Sequence, residues 1–170
     1  IDKLLSKTEF IPDPPINVKD DDDTEIAIGQ TWVHATKRKN DFIRRASYAG
    51  WRIGLILNQP HNGTEILPFS IREKMVLFWQ NHFATEADVV GDARYYYWFH
   101  NKLRKNYLGN FKSLVKLINI DPAMLVYLSG QFNTKEAPNE NYARELFELF
   151  TIGKGPLDGV DSYTYYTESD

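Results

Sequence analysis

The sequence predicts an all-α fold, an irregular multi-helix domain around one aromatic-rich core with a long N-terminal loop segment. Apolar residues recur at helical spacing along most of the chain, and helix-capping residues open several of these stretches. No alternating apolar–polar run is longer than a few residues, so we expect strands to contribute little. At 170 residues and 42% apolar content, the chain is long and apolar enough to bury one core.

The composition excludes several classes of protein. The net charge of −3 argues against a general nucleic-acid binder. The chain has no Cys, which excludes disulfides and thiolate metal sites. No apolar run approaches the roughly 20 residues of a membrane-spanning helix, so we expect no membrane partner. Nothing in the composition identifies a protein partner.

The chain divides into three parts. Residues 1–35 are predicted to be an irregular acidic segment, because Asp13-Pro14-Pro15 and the acidic run 20–23 oppose regular structure. The acidic run lacks the spaced ligands and central Gly of a calcium loop and is interpreted as solvated. Residues 36–153 form the predicted helical domain, and residues 154–170 form a loop.

A long amphipathic helix is predicted over residues 36–58. Its first turns are basic, which opposes the helix dipole, so we expect acidic neighbours in the fold. Its predicted buried face comprises Phe42, Ala46, Ala49, Ile53, Ile56 and Leu57.

The next two helices are predicted at 70–85 and 88–105. Ser70 and Glu73 have the spacing of a capping box, in which each side chain bonds to the other residue's free amide. Residues 95–99 are five consecutive aromatics, which predicts a helix with neighbours on every side. The predicted buried stripe of the first helix comprises Ile71, Met75, Phe78, Trp79 and Phe83.

Two shorter helices follow. Asn110 is predicted to cap a helix that runs to Ile118. Asp121 and Pro122 are predicted to start another, with Asp as the N-cap and Pro at the first helical position. Gly130 is predicted to end that helix.

The last helix lies within residues 137–153 and carries its own start and stop signals. Asn139 is a suitable N-cap, and Gly153 suits the left-handed position beyond the last turn. A ladder of surface ion pairs is predicted for Glu140, Arg144 and Glu148, which lie four residues apart. Neither capping nor the ladder requires Asn141 and Glu145.

Three stretches resemble the bacterial family called domain of unknown function 1800, over roughly residues 40–170. They are APNENYARELFELFTIGKG from Ala137, REKMVLFWQNHFAT from Arg72, and LGNF from Leu108 followed by DPAML from Asp121. The resemblance implies a family with no established activity, whose members are commonly predicted to be exported and whose chains continue beyond residue 170. It therefore favours a periplasmic or secreted protein, with a cytoplasmic location left open, and a fragment whose partner is the remainder of its own longer chain.

One hypothesis is a hydrolase-like site on His82, inside the second stretch. Imidazole can act as a general base, and a hydrogen bond to the carboxylate of Glu145 or Glu140 would orient it for acid–base hydrolysis. Gln80 stands where the family commonly has His, which argues against a two-histidine metal site. The sequence specifies neither a cofactor nor a metal requirement, and it contains no known catalytic motif. The substrate-binding residues in this hypothesis are Asn81, Asn141, Arg144 and Arg72.

Two alternatives remain open. In a non-catalytic interaction or scaffold domain, the polar side chains of residues 138–145 would bond to neighbouring backbone, whereas a solvent-open pocket around them would favour an enzyme. The weaker alternative is a binder of anionic polymers through the basic, aromatic-rich region 94–116.

Overall fold

The computed structural model describes residues 12–19, 25–38, 41–57, 61–62, 65–66, 71–157 and 163–167. This part of the chain is predominantly helical, and its regular strand pairing is limited to a two-residue antiparallel hairpin. The predicted all-α class is confirmed. The elements are α1 (Asp41–Leu57), β1 (His61–Asn62), β2 (Glu65–Ile66), α2 (Arg72–His82), α3 (Ala87–Val90), α4 (Ala93–Lys105), α5 (Phe111–Asn119), α6 (Pro122–Tyr127), a 3₁₀ turn (Gly130–Phe132) and α7 (Glu140–Glu148).

Helix α4 lies at the centre of the fold. It packs against α1, α2, α3, α5 and α6, because its aromatic residues cover most of its circumference. Phe99 and Leu103 are completely buried, whereas Tyr95 remains partly exposed. The predicted aromatic core is confirmed. Its fully buried large side chains include Trp32, Phe83, Phe99, Leu103, Leu114, Ile118 and Met124.

The capping residues set the starts of three helices as predicted. The side chain of Asn110 accepts a hydrogen bond from the Ser113 amide at 3.1 Å, and that of Asp121 accepts one from the Ala123 amide at 2.8 Å. Asn139 caps α7 in the same way. These bonds satisfy amides that the first helical turn leaves free.

The single helix predicted at 88–105 is wrong, because it is divided into α3 and α4. Gly91 adopts a left-handed φ of 61°, which ends α3. Asp92 then caps α4 by accepting from the Arg94 amide at 3.0 Å. A Gly-Asp pair thus stops one helix and starts the next.

The predicted buried face of α1 is wrong. The helix begins at Asp41 and not at residue 36, and all six apolar residues assigned to the core are exposed. Its buried side chains are instead Arg44, Tyr48 and Arg52. The acidic neighbours expected for its basic start are confirmed, since Arg45 pairs with Asp41 at 2.8 Å and also contacts Asp88.

Helix α2 also departs from the prediction in detail. Val76 is fully buried, while Phe78 is 54% exposed. Ile71 occupies the N-cap position without a side-chain cap bond, and Ser70 lies outside the described residues. The predicted capping role of Glu73 is wrong, because arginines from two other helices bind its carboxylate.

The prediction for the end of α6 is wrong, because the helix stops at Tyr127, before Gly130. Ser129 takes the left-handed conformation with φ 58°, and Gly130 starts the 3₁₀ turn. Gly153, by contrast, has the predicted left-handed φ of 79° beyond α7, and its amide donates to the Phe147 carbonyl at 2.9 Å.

The described part of the N-terminal segment is irregular, as predicted, but packs into the core. Trp32 is fully buried and contacts Tyr97 edge to face, with ring centroids 6.4 Å apart. An isolated bridge joins Ile16 to Thr31. The acidic run 20–23 lies outside the described residues, and the division of the chain at residues 35 and 153 stays a prediction.

In the part of the chain that the structure describes, no helix combines the length and the apolar character that crossing a membrane requires.

Candidate functional site

The two motif-bearing helices meet at His82. This side chain ends α2, and its Nε2 lies 2.9 Å from the carbonyl oxygen of Phe150, just beyond α7. Aromatic rings surround the imidazole, with centroids at 4.7 Å for Phe83, 5.9 Å for Trp79 and 5.8 Å for Phe111. His82 is half-buried in this arrangement and joins the two stretches that the sequence singles out.

Asn139 does more at the start of α7 than the predicted capping. Its Oδ1 accepts from the Tyr142 amide at 3.0 Å. Its Nδ2 donates to the carbonyls of Leu128 and Ser129 at 3.2 and 3.1 Å. The second pair of bonds fixes the left-handed turn at Ser129, a conformation that is costly for a residue with a Cβ. Asn139 therefore ties α7 to the end of α6.

Tyr142 ties α7 to a third helix. Its ring is buried, and its hydroxyl donates to the carbonyl and the side chain of Asn119 at the end of α5. Burial raises the pKa of the Tyr142 hydroxyl to about 12. The hydroxyl therefore stays protonated and acts as a hydrogen-bond donor.

The predicted ion-pair ladder on α7 is wrong. The Arg144 guanidinium donates to the side-chain oxygen of Asn141 at 2.5 Å, and Glu148 accepts a hydrogen bond from the Tyr166 hydroxyl. The acceptor in the Arg144–Asn141 bond is an uncharged side chain one helical turn away, so the bond is not an ion pair. It gives Asn141, which the sequence left unexplained, a local partner.

The other predicted site residues are dispersed. Glu140 and Arg144 line a cleft of about 540 Å³ between α7 and residues 163–167. Glu145 is half-buried and Asn81 is exposed. The Arg72 guanidinium lies over the Tyr107 ring at 5.1 Å. Among the described residues, no hydrogen bond joins His82 to either glutamate, and the catalytic assignment stays a prediction.

A buried ionic cluster at the junction of α1, α2 and α4 escaped the sequence analysis. Arg104 Nε and Nη2 donate to the two Glu73 oxygens at 2.9 Å each, and Arg52 Nη1 donates to the same carboxylate at 2.6 Å. Arg104 also lies over the Trp51 ring at 5.2 Å. The partners of Glu73 are 21 and 31 residues away in sequence, so no local pattern could indicate them.

The cluster keeps Glu73 ionised. Burial alone would raise the pKa of this carboxyl, but the hydrogen bonds and charge of Arg104, and then those of Arg52, outweigh it and hold the pKa below its ordinary value.

His100 lies fully buried beside this cluster. Burial, with a smaller contribution from the Arg52 charge, lowers the pKa of the imidazole to about 3. Its Nδ1 lies 2.9 Å from the Tyr96 carbonyl, and the ring packs against Tyr48 at 5.4 Å. His100 is therefore neutral at physiological pH and has a structural role.

Internal carboxylates neutralise half of the basic residues proposed for polymer binding. Arg94 binds Asp92 at 2.6 Å, Lys102 pairs with the buried Asp121, and Arg104 binds Glu73. Polymer binding by the remaining residues, Lys105, Lys112 and Lys116, stays a prediction.

No three His, Asp or Glu side chains converge as metal ligands anywhere in the described ranges.

Comparison with known proteins identifies a family. The family model described as Protein of unknown function (DUF1800) matches residues 1–170, which is the whole sequence given. No curated protein and no solved structure matches the chain. The chain belongs to the DUF1800 family, as its motifs predicted, and that family is uncharacterised.

Proposed function

With membership of the DUF1800 family as the premise, we propose that this chain is a non-catalytic interaction domain. In this proposal the motif side chains hold the helices together, and outward-facing apolar surface binds the partner. The observation that carries it is the hydrogen bond between His82 Nε2 and the Phe150 carbonyl, which joins the two motifs.

The chemistry of this bond supports a structural role. A carbonyl oxygen only accepts hydrogen bonds, so Nε2 must carry the proton and donate it. Asn139 and Tyr142 likewise direct their polar atoms to the backbone of α5, α6 and the turn that follows α6. Two polar side chains of this motif, Asn139 and Tyr142, thereby satisfy backbone carbonyls of neighbouring elements, as a scaffold requires.

The test compares His82→Phe with Glu145→Gln, a conservative change in the other motif. We expect His82→Phe to lower the free energy of unfolding by about 1–3 kcal/mol, since it leaves the Phe150 carbonyl without its donor. We expect Glu145→Gln to change it by less than about 0.5 kcal/mol. Neither variant should alter the background hydrolysis of ester, phosphate, glycoside or peptide substrates. Turnover by the wild type that His82→Phe abolishes would overturn the proposal.

A hydrolase-like site is the second candidate, and two observations favour it. Glu140 and Arg144 line a cleft of about 540 Å³, the open pocket beside the motif that an enzyme requires. Because Nε2 donates to Phe150, the lone pair of the neutral ring lies on Nδ1, which could accept a proton from water. In this candidate Glu145 or Glu140 would orient His82 by replacing the Phe150 carbonyl as the acceptor of the Nε2 proton, since Nδ1 carries no proton to donate. Asn81, Asn141, Arg144 and Arg72 would hold the substrate.

This candidate predicts a specific kinetic signature. Glu145→Gln or Glu140→Gln would reduce kcat about 10²–10⁴-fold with the fold intact. Full activity in both glutamate variants would exclude their role as the orienting carboxylate.

We also propose that the protein is exported to the periplasm or beyond, and that it functions with the remainder of a longer chain. Both proposals rest on what is common in the DUF1800 family. Fractionation of cells that express the protein tests export, and recovery with cytoplasmic markers would contradict it.

A further inference from the structure

Helix α1 has polar residues inside and apolar residues outside. Its buried residues are Arg44, Tyr48 and Arg52. Every exposed residue of the helix is apolar or glycine, and together these form the α1 stripe: Phe42, Ala46, Ala49, Gly50, Ile53, Ile56 and Leu57.

The helix cannot rotate to hide this stripe. Arg52 is bound to Glu73 of α2 at 2.6 Å, and Arg44 donates to the Lys37 carbonyl at 2.8 Å. Rotation would remove a buried guanidinium from its carboxylate, a cost of several kcal/mol. The ionic cluster therefore fixes the apolar stripe toward solvent.

The size of the stripe matches one side of a stable interface. Phe42 and Leu57 are 77% and 75% exposed, and Ile53 and Ile56 are 56% and 49% exposed. If each side chain offers on the order of 150–200 Å² when fully exposed, these four contribute roughly 400–500 Å² of apolar surface. A standard interface buries about 800 Å² per partner, of which about 60% is apolar.

We propose that the α1 stripe binds the same stripe of a second copy of this chain, with the two helices antiparallel. This deepens the proposed interaction-domain function and rests on it. The residues from Phe42 to Ile56 follow a 4-3-4-3 spacing, the seam geometry of packed helix pairs.

The sequence of the stripe is self-complementary about its midpoint, as a two-fold interface requires. Antiparallel pairing places Phe42 against the partner's Leu57, Ala46 against the partner's Ile53, and Ala49 against the partner's Gly50. Bulky side chains meet at the two ends and small residues at the crossing point, where they let the helix axes approach closely.

A membrane surface fits the stripe less well. Helices that lie on membranes carry free Lys and Arg beside the apolar face. Here Arg52 and Arg45 are bound to carboxylates of the fold, and Arg44 is buried. The Ala-Gly centre would also contribute little apolar surface to insertion into lipid.

Sedimentation equilibrium tests the proposal, with Phe78→Glu as the matched control for Ile53→Glu. Phe78 and Ile53 are nearly equally exposed, at 54% and 56%, but Phe78 lies on α2, outside the stripe. We expect the wild type and Phe78→Glu to form dimers, and Ile53→Glu to raise the dimer Kd at least ~100-fold. A monomeric wild type at ~1 mM, or a dimer that tolerates Ile53→Glu, would overturn the proposal.

The absence of Cys allows a second, independent test. Ala49→Cys should crosslink two copies under mild oxidation, because residue 49 lies next to the two-fold midpoint, where its two copies come within the roughly 7 Å Cα separation that a disulfide can span. Phe78→Cys should remain monomeric on a denaturing gel, and equal crosslinking of both variants would refute the pairing.

Two further results would contradict the proposal or the function on which it rests. Binding of the wild type to zwitterionic phospholipid vesicles that Ile53→Glu abolishes would assign the stripe to lipid and overturn the proposal. His82-dependent turnover in the same samples would instead refute the interaction-domain function, whatever the oligomeric state.

Discussion

Replacement of Glu73 by Gln should destabilise the fold more than any surface change. The carboxylate accepts three hydrogen bonds, at 2.6, 2.9 and 2.9 Å, from two guanidinium groups. Arg52 and Arg104 are 6% and 5% exposed, so water cannot replace the lost charge. Leaving buried charges without their partner costs about 3–5 kcal/mol. In a domain of this size, that lowers Tm by roughly 6–20 °C.

Thermal and urea unfolding at pH 7 measure this loss, with Asp88→Asn as the control. Asp88 contacts Arg45 but is 84% exposed, so its replacement should cost less than about 1 kcal/mol. A Glu73→Gln protein that melts within about 2 °C of the wild type would refute the reasoning that the cluster is buried and coupled.

The pH dependence gives a second check on the same residue. The pKa of Glu73 lies below its ordinary value of 4.5. Its contribution to stability is therefore present above the unfolded-state pKa and is lost as the pH falls through the lower folded-state pKa. Glu73→Gln should lose less stability than the wild type on acidification below pH 4.5.

Three other changes have defined outcomes. His100 has a pKa of about 3 in the folded state and about 6.5 in the unfolded state, so the free energy of unfolding of the wild type should fall by up to about 1.4 kcal/mol per pH unit between pH 5.5 and 4. Urea titrations of His100→Leu should lack this pH dependence. An unchanged pH dependence in that variant would contradict the burial of His100. Asn139→Ala should lower the free energy of unfolding, measured in urea, by about 1–2 kcal/mol. Asn139→Asp keeps the oxygen that caps the helix and should lower it by less. Equal losses in the two variants would show that the cap bond does not contribute to stability. Gly130→Ala should cost about 1–3 kcal/mol in thermal melts, because its Cβ would lie 2.7 Å from the Tyr142 ring; an unchanged Tm would mean that the turn can move away.

Local chemistry in the sequence predicted the helix starts well. Asn110, Asp121 and Asn139 each bond to an amide within the next three residues, so the cap is defined by the sequence that contains it. Gly91 and Asp92 are likewise a local stop signal and a local cap that the sequence contains. The break between α3 and α4 was nevertheless not predicted, because the aromatic run that follows suggested one continuous helix.

The candidate site was only partly predictable. His82 was identified from its motif, but its partner is a backbone carbonyl 68 residues away, which no side-chain pattern reveals. Glu73 was predicted to cap α2, whereas its carboxylate binds two arginines of other helices. The sequence could not distinguish these roles because a glutamate suits both.

The sequence by itself determined the all-α class and the starts of α5, α6 and α7, since these depend on periodicity and on contacts within a few residues. Its motifs also identified the family. Only the tertiary structure decided which side of α1 faces the core. Periodicity located the apolar stripe correctly, but the Glu73 carboxylate on α2 draws Arg52 inward and turns that stripe to solvent. A buried charge needs a partner of opposite sign. In α1 the free energy of keeping Arg52 bound to Glu73 outweighs the free energy that burial of the apolar stripe would contribute.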